Sequence, residues 1–190
     1  MSTAPPLDAW LDELGVEVVG AAGEDGDQAL SRDVVLDGER RFDLRVTLAW
    51  VAGIGLSLWA YYGLEAMELP RRTLHRMLRA NFEYPFVKFA VTEDDRPMLV
   101  TEIPAAAVDR QELARALVRL AIVADRLMEE TAAAVADRGM LPDWSDRQPR
   151  NPGLLESQRA EVLAAMPPWE PPTPPRRRRG ILAWLRGGPR

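Results

Sequence analysis

Apolar and polar positions alternate from Arg41 to Trp50: Phe42, Leu44, Val46, Leu48 and Trp50 face one way, and Arg41, Asp43, Arg45, Thr47 and Ala49 the other. A period of two predicts a half-buried strand rather than a helix. Gly53 and Gly55 supply a turn, and Ile54, Leu56 and Leu58, opposed by Trp59 and Tyr61, continue as a second strand. The 19 residues from Val46 to Leu64 carry no charge, which is close to the length of a membrane-spanning helix. The alternation begins upstream among charged residues and runs straight into this stretch, so a buried hairpin is expected instead.

Elsewhere the spacing is helical or irregular. Leu7, Trp10, Leu11 and Leu14 form one stripe of a short helix closed by Gly15. Weak strands are expected around Val16–Val19 and Val34–Leu36, separated by a Gly/Asp-rich loop and followed by the turn signal Asp37-Gly38. Pro70 opens a helix over Arg71–Ala80, with Leu74, Met77 and Leu78 inward, Arg71, Arg72, Arg76 and Arg79 outward, and Asn81 as a left-handed stop. Two short strands, Phe86–Val91 and Met98–Glu102, flank the acidic turn Thr92–Arg96. Asp109, with Glu112 three residues on, predicts the cap of a long helix reaching Asp137. Its seam is Leu113, Leu117, Leu120, Ala124, Leu127, Thr131 and Ala134, widened by Val118, Ile122 and Met128. Such a helix needs cover on two sides, expected from its own sheet and from a second subunit.

Composition changes after Gly139. Residues 1–139 are expected to form the α+β domain, 140–166 a linker with a short amphipathic helix over Gly153–Met166, and 167–190 a tail. Six prolines between Pro167 and Pro175 favour an extended spacer. It is followed by Arg176, Arg177, Arg178 and Arg179, then the apolar Ile181, Leu182, Trp184 and Leu185. From residue 170 onward there is one Glu against six Arg, a net of +5, within a chain whose total is −5. The body is therefore acidic, which makes nucleic acid an unfavourable partner for it.

Candidate chemistry is sparse. The absence of Cys and the single His75 exclude disulfide scaffolds, thiol nucleophiles and multi-histidine metal clusters. His75 lies on a basic helix with no carboxylate and nucleophile beside it, and no serine lies in a nucleophile elbow. Glu24-Asp25-Gly26-Asp27 lacks the later oxygen ligands of a calcium loop, with Ala29 and Leu30 in their place. The glycines at 20, 23 and 26 match no phosphate-binding fingerprint. No enzyme activity, cofactor or metal is expected. Trp59 and Tyr61 stand on one strand face as candidate anchors for a peptide or a second subunit.

The run Asn81-Phe-Glu-Tyr-Pro85-Phe86-Val-Lys88-Phe89, leading into Met98-Leu-Val-Thr-Glu-Ile-Pro104, resembles the YbjN-type domain. This is a bacterial family labelled as a sensory transduction regulator and similar in fold to class I type III secretion chaperones. The resemblance covers roughly residues 5–138. It implies an α-β-β-β-α-β-β-α sandwich that commonly dimerises and binds protein segments, with no catalytic residues to carry over. The polar loop Gly20–Ser31 and the Pro/Arg tail depart from the pattern.

Together these features predict a cytoplasmic, non-catalytic adaptor or chaperone-like module, dimeric, that holds a segment of another protein. Its tail (Arg176–Arg179 with Ile181, Leu182, Trp184 and Leu185) suits an acidic groove or an anionic membrane surface. The alternative is a regulator tethered through that tail to a membrane or to nucleic acid. The five-residue apolar run Ile181–Leu185 cannot span a bilayer, so any membrane contact is weak.

Overall fold

Alternation along the strands and amphipathic stripes along the helices assemble into one antiparallel sheet with helices on a single face. A computed structural model describes residues 4–23, 29–61, 65–69, 71–84, 86–136 and 146–168, the side chains of residues 29, 72 and 128–136 excepted. The element order is α1 (Leu7–Glu13), β1 (Val18–Ala22), β2 (Ala29–Leu36), β3 (Leu44–Val51), β4 (Gly55–Tyr61), α2 (Arg71–Glu83), β5 (Lys88–Val91), β6 (Pro97–Pro104), α3 (Arg110–Ala136) and α4 (Pro152–Ala164). The six strands run in the order β1-β2-β3-β4-β6-β5. α2 carries the chain past the place where β6 will pair with β4, so β5 becomes an edge strand.

The α+β class holds, and so does the hairpin reading over Val46–Tyr61, with residues 62–64 outside the described ones: β3 and β4 pair from Val46↔Ala60 to Val51↔Gly55. Among the described residues no helix is long and apolar enough to cross a membrane. Burial follows the alternation, with Leu44, Val46, Leu48, Trp50, Leu56, Leu58 and Ala60 inside. Ile54 is instead exposed in the turn. Four strands, not three, precede α2, because both weak segments pair. β1 is open on both faces, so it carries no alternation from which to count it.

Two details of α2 differ from expectation. Leu78 is 69% exposed, while Thr73, Met77 and Ala80 face the core. Asn81 is not a left-handed stop: the helix runs through it to Glu83. Positive φ among described non-glycine residues occurs at Asp43 and Asp95 alone.

α3 starts as its sequence predicts, with the Glu112 N–H donating to Asp109 Oδ1 at 2.7 Å. Leu113, Leu117, Leu120, Ala124 and Leu127 are buried, and so are Val118 and Ile122. Met128, Thr131 and Ala134 lie outside the described side chains. The second cover of α3 is α4 of the same chain. Leu154 and Val162 join the common core, Arg115 pairs with Glu161 at 2.7 Å, and Arg126 donates to the Pro167 carbonyl at 3.3 Å. That face of α3 therefore gives no ground for a second subunit.

The segment before α4 is latched onto the β2–β3 loop. Buried Asp37 accepts the N–H groups of Asp43 (2.8 Å) and Arg150 (3.0 Å), and its own N–H donates to Asn151 Oδ1 (3.1 Å). Arg147 and Arg150 both pair with Asp43. From α3, Asp125 accepts the N–H groups of Glu39, Arg40 and Arg41 at 2.7, 3.0 and 2.7 Å.

Candidate protein-binding surface

Register decides which side chains share the face that the helices leave open. Asp33, Thr47, Trp59, Val100 and Lys88 form one cross-strand row, because Asp33 pairs Thr47, Thr47 pairs Trp59, Trp59 pairs Val100 and Val100 pairs Lys88. Tyr61, Met98 and Ala90 form the next row. None of these side chains is fully buried, in contrast with the opposite face of the same strands. Trp59 is half-buried by its neighbours and Tyr61 is 49% exposed, with the Arg96 guanidinium 5.9 Å from its ring centre. The structure thus places both sequence-predicted anchors on the open face and surrounds them with Val100, Met98 and Thr47.

The open face turns a corner at β6. β5 pairs with β6 over Pro97–Val100 only, whereas β4 pairs with it through Pro104. Thr101–Pro104 therefore form a strand edge covered on one side among the described residues. Asn81 holds the outward backbone groups of Phe89, so Lys88 and Ala90 are the residues that bond to Val100 and Met98. The alternation of an antiparallel ladder then turns the Glu102 backbone toward the same side, past the end of β5.

That edge borders a groove of about 860 Å³ with α3 as its other wall. Its apolar lining comes from Phe86, Ala90, Met98, Val100 and Pro104, and its polar rim from Glu102, Asp109, Glu112, Arg115 and Arg119. A volume near this size suits a few side chains of a bound segment. The cations lining the groove are already engaged: Lys88 donates to the Asn81 and Tyr84 carbonyls. Arg119 pairs with Glu112 at 2.6 Å and stacks 4.6 Å over the Phe86 ring. Arg115 bonds Glu161 and Glu112, and the Glu161 hydrogen bond raises its pKa above the ordinary value. Phe86, 54% exposed, is held through its carbonyl by the Thr101 hydroxyl at 2.7 Å.

Among the described residues no group of three or more His, Asp or Glu side chains could hold a metal ion, and His75 is exposed on α2. The acidic segment Glu24–Asp27 and the tail residues Arg176, Arg177, Arg178, Arg179, Ile181, Leu182, Trp184 and Leu185 lie outside the described residues. Sequence reasoning did not find the β6 edge or the Phe86–Arg119 stack. Both depend on where β5 stops, which no local pattern encodes.

A family model described as "Putative bacterial sensory transduction regulator" matches residues 7–132, most of the sheet and helical layer just described. The chain belongs to the YbjN family. No curated protein and no solved structure matches it, so the likeness to secretion chaperones rests on the family resemblance alone. The YbjN match contains every residue of the open face and of the groove and stops before α4. Membership in a regulator family is compatible with a non-catalytic regulatory or adaptor role.

Proposed function

We propose that this YbjN domain is a non-catalytic adaptor that binds a segment of another protein across its open sheet face and the β6 edge. The observation that carries the reading is the continuity of Trp59, Val100 and Met98 with the groove: apolar anchors lie beside a strand edge that is uncovered among the described residues. An extended segment placed there gains backbone hydrogen bonds from the edge and side-chain burial from the groove, the two parts of strand-addition recognition. Trp59 supplies a large, half-buried anchor that costs little additional entropy to bury.

A second copy of the chain is an alternative occupant of the same face, and dimerisation is retained on that ground only. Tail-mediated tethering to an anionic membrane remains the second reading, supported by the Arg176–Arg179 cluster beside Trp184.

Affinity copurification with the full chain and with Val100→Arg tests the proposal. A stoichiometric protein held by the natural chain and lost with Val100→Arg, at an unchanged melting temperature, is the expected outcome. Equal recovery by both chains overturns the reading.

A further inference from the structure

The chain leaves α4 beside the groove. Val162, Ala165 and Met166 meet Phe86, Val87 and Arg119 in a small cleft, and Pro167 is fixed by Arg126. Phe86 and Arg119 also line the groove along β6. A further 22 residues follow Pro168. We infer that Arg176–Leu185 of this chain folds back into that groove, so that the protein carries its own competitor for the segment it binds.

Reach, charge and chemistry each support this occupant. Twelve residues lie between Pro168 and Ile181, and a proline-rich spacer extends about 3 Å per residue, so the thirteen steps reach roughly 40 Å. The eight residues of β6 span only about 27 Å at ~3.3 Å per residue, so every point of the groove is within range. The tail from residue 170 carries six Arg and one Glu, whereas the whole chain is −5, so the body attracts it. On the rim, Arg115 and Arg119 are committed to Glu112 and Glu161 and Lys88 to the Asn81 and Tyr84 carbonyls. Asp109 caps α3 through one oxygen, which leaves its other oxygen and the exposed Glu102 carboxylate to receive the tail arginines. Ile181, Leu182 and Trp184 match an apolar lining of Met98, Val100 and Pro104.

The competitor role rests on the proposed function; the docking itself does not, and its test uses the chain alone. A benzophenone amino acid replaces Trp184 in the full chain, and the cross-links formed on irradiation are mapped by mass spectrometry. Cross-links within one chain to the peptides containing Phe86–Ala90 or Pro97–Pro104 are expected. Cross-links to other parts of the body, or between chains in a mixture of labelled and unlabelled protein, overturn the inference, as does the absence of any cross-link. Hydrogen exchange gives an independent readout: the Glu102 amide should exchange about tenfold faster in Trp184→Ala than in the natural chain. An unchanged rate overturns the inference. If the docking fails while a partner is still lost with Val100→Arg, the groove is a binding site without an internal competitor.

Discussion

The side-chain amide of Asn81 in α2 holds both outward backbone groups of Phe89 in β5: the Phe89 N–H donates to Asn81 Oδ1 at 2.6 Å and Asn81 Nδ2 donates to the Phe89 carbonyl at 3.0 Å. One side chain thus occupies the free edge of a four-residue strand, a place where unpaired groups invite pairing with other chains. Lys88 closes the same corner by donating to the Asn81 carbonyl at 2.7 Å. Among the described residues the β5 edge is blocked and the β6 edge is open.

Asn81→Ala therefore costs about 1–3 kcal/mol by urea unfolding, since two strand groups lose their partner. It also unblocks β5, so light scattering should show association that grows with concentration. A variant as stable and as dispersed as the natural chain would show that the amide pair has no structural weight.

Asp125 is shifted in the direction opposite to Asp8, Asp43 and Asp94. Burial raises its pKa above 3.8 despite the three N–H groups it accepts. The native state then holds this proton more tightly than the unfolded chain, so the contribution of Asp125 to stability falls as pH rises through the interval above 3.8. The stability deficit of Asp125→Asn, measured by urea unfolding, should shrink as pH rises above 3.8. Asp8 and Asp43 behave inversely. Hydrogen bonds from Arg32 and from Arg147 lower their pKa values, so their contribution is present above 3.8 and is lost as pH falls below it. Gly38→Ala tests the same corner sterically, because a Cβ there collides with both Asp125 carboxylate oxygens. A loss of about 1–3 kcal/mol is expected for such overpacking.

Leu154 and Val162 make α4 part of the folded core. Leu154→Ala should destabilise the protein by about 2–5 kcal/mol in a single cooperative transition. An early, separate unfolding step would mean that α4 is an independent appendage.

Much of the fold was legible in the sequence because its signals are local. Alternation through Leu44–Trp50, the Asp109 cap and the placement of Trp59 opposite Leu58 all follow from side-chain periodicity or from one hydrogen bond. What escaped depends on contacts distant in sequence. Asn81 reads as a helix stop until Phe89 is placed against it, eight residues on. Asp125 is a lone acid within the apolar half of a helix, and only its 84-residue separation from Arg41 explains it. The amphipathic helix near residue 160 was visible, but its docking on α3 was not, because the apolar arc of α3 fits a second subunit equally well. Of the candidate site, Trp59 and Tyr61 were found by facing; the β6 edge required the register.

Under tail docking, Trp184→Ala should raise recovery of a groove-bound partner several-fold, because the internal competitor is gone. Reduced recovery would mean that Trp184 contacts the partner directly.

We propose that the open sheet face and the β6 edge form the protein-binding surface. Hydrogen exchange on the Trp184→Ala chain, whose own tail does not shield Glu102, alone and in complex with the protein it retains on copurification, measures this. Protection gained at Glu102 and its β6 neighbours, with α1 and β1 unchanged, is the predicted result. Protection confined to α1, β1 or the outer face of α4, with the Glu102 amide unaffected, would contradict it.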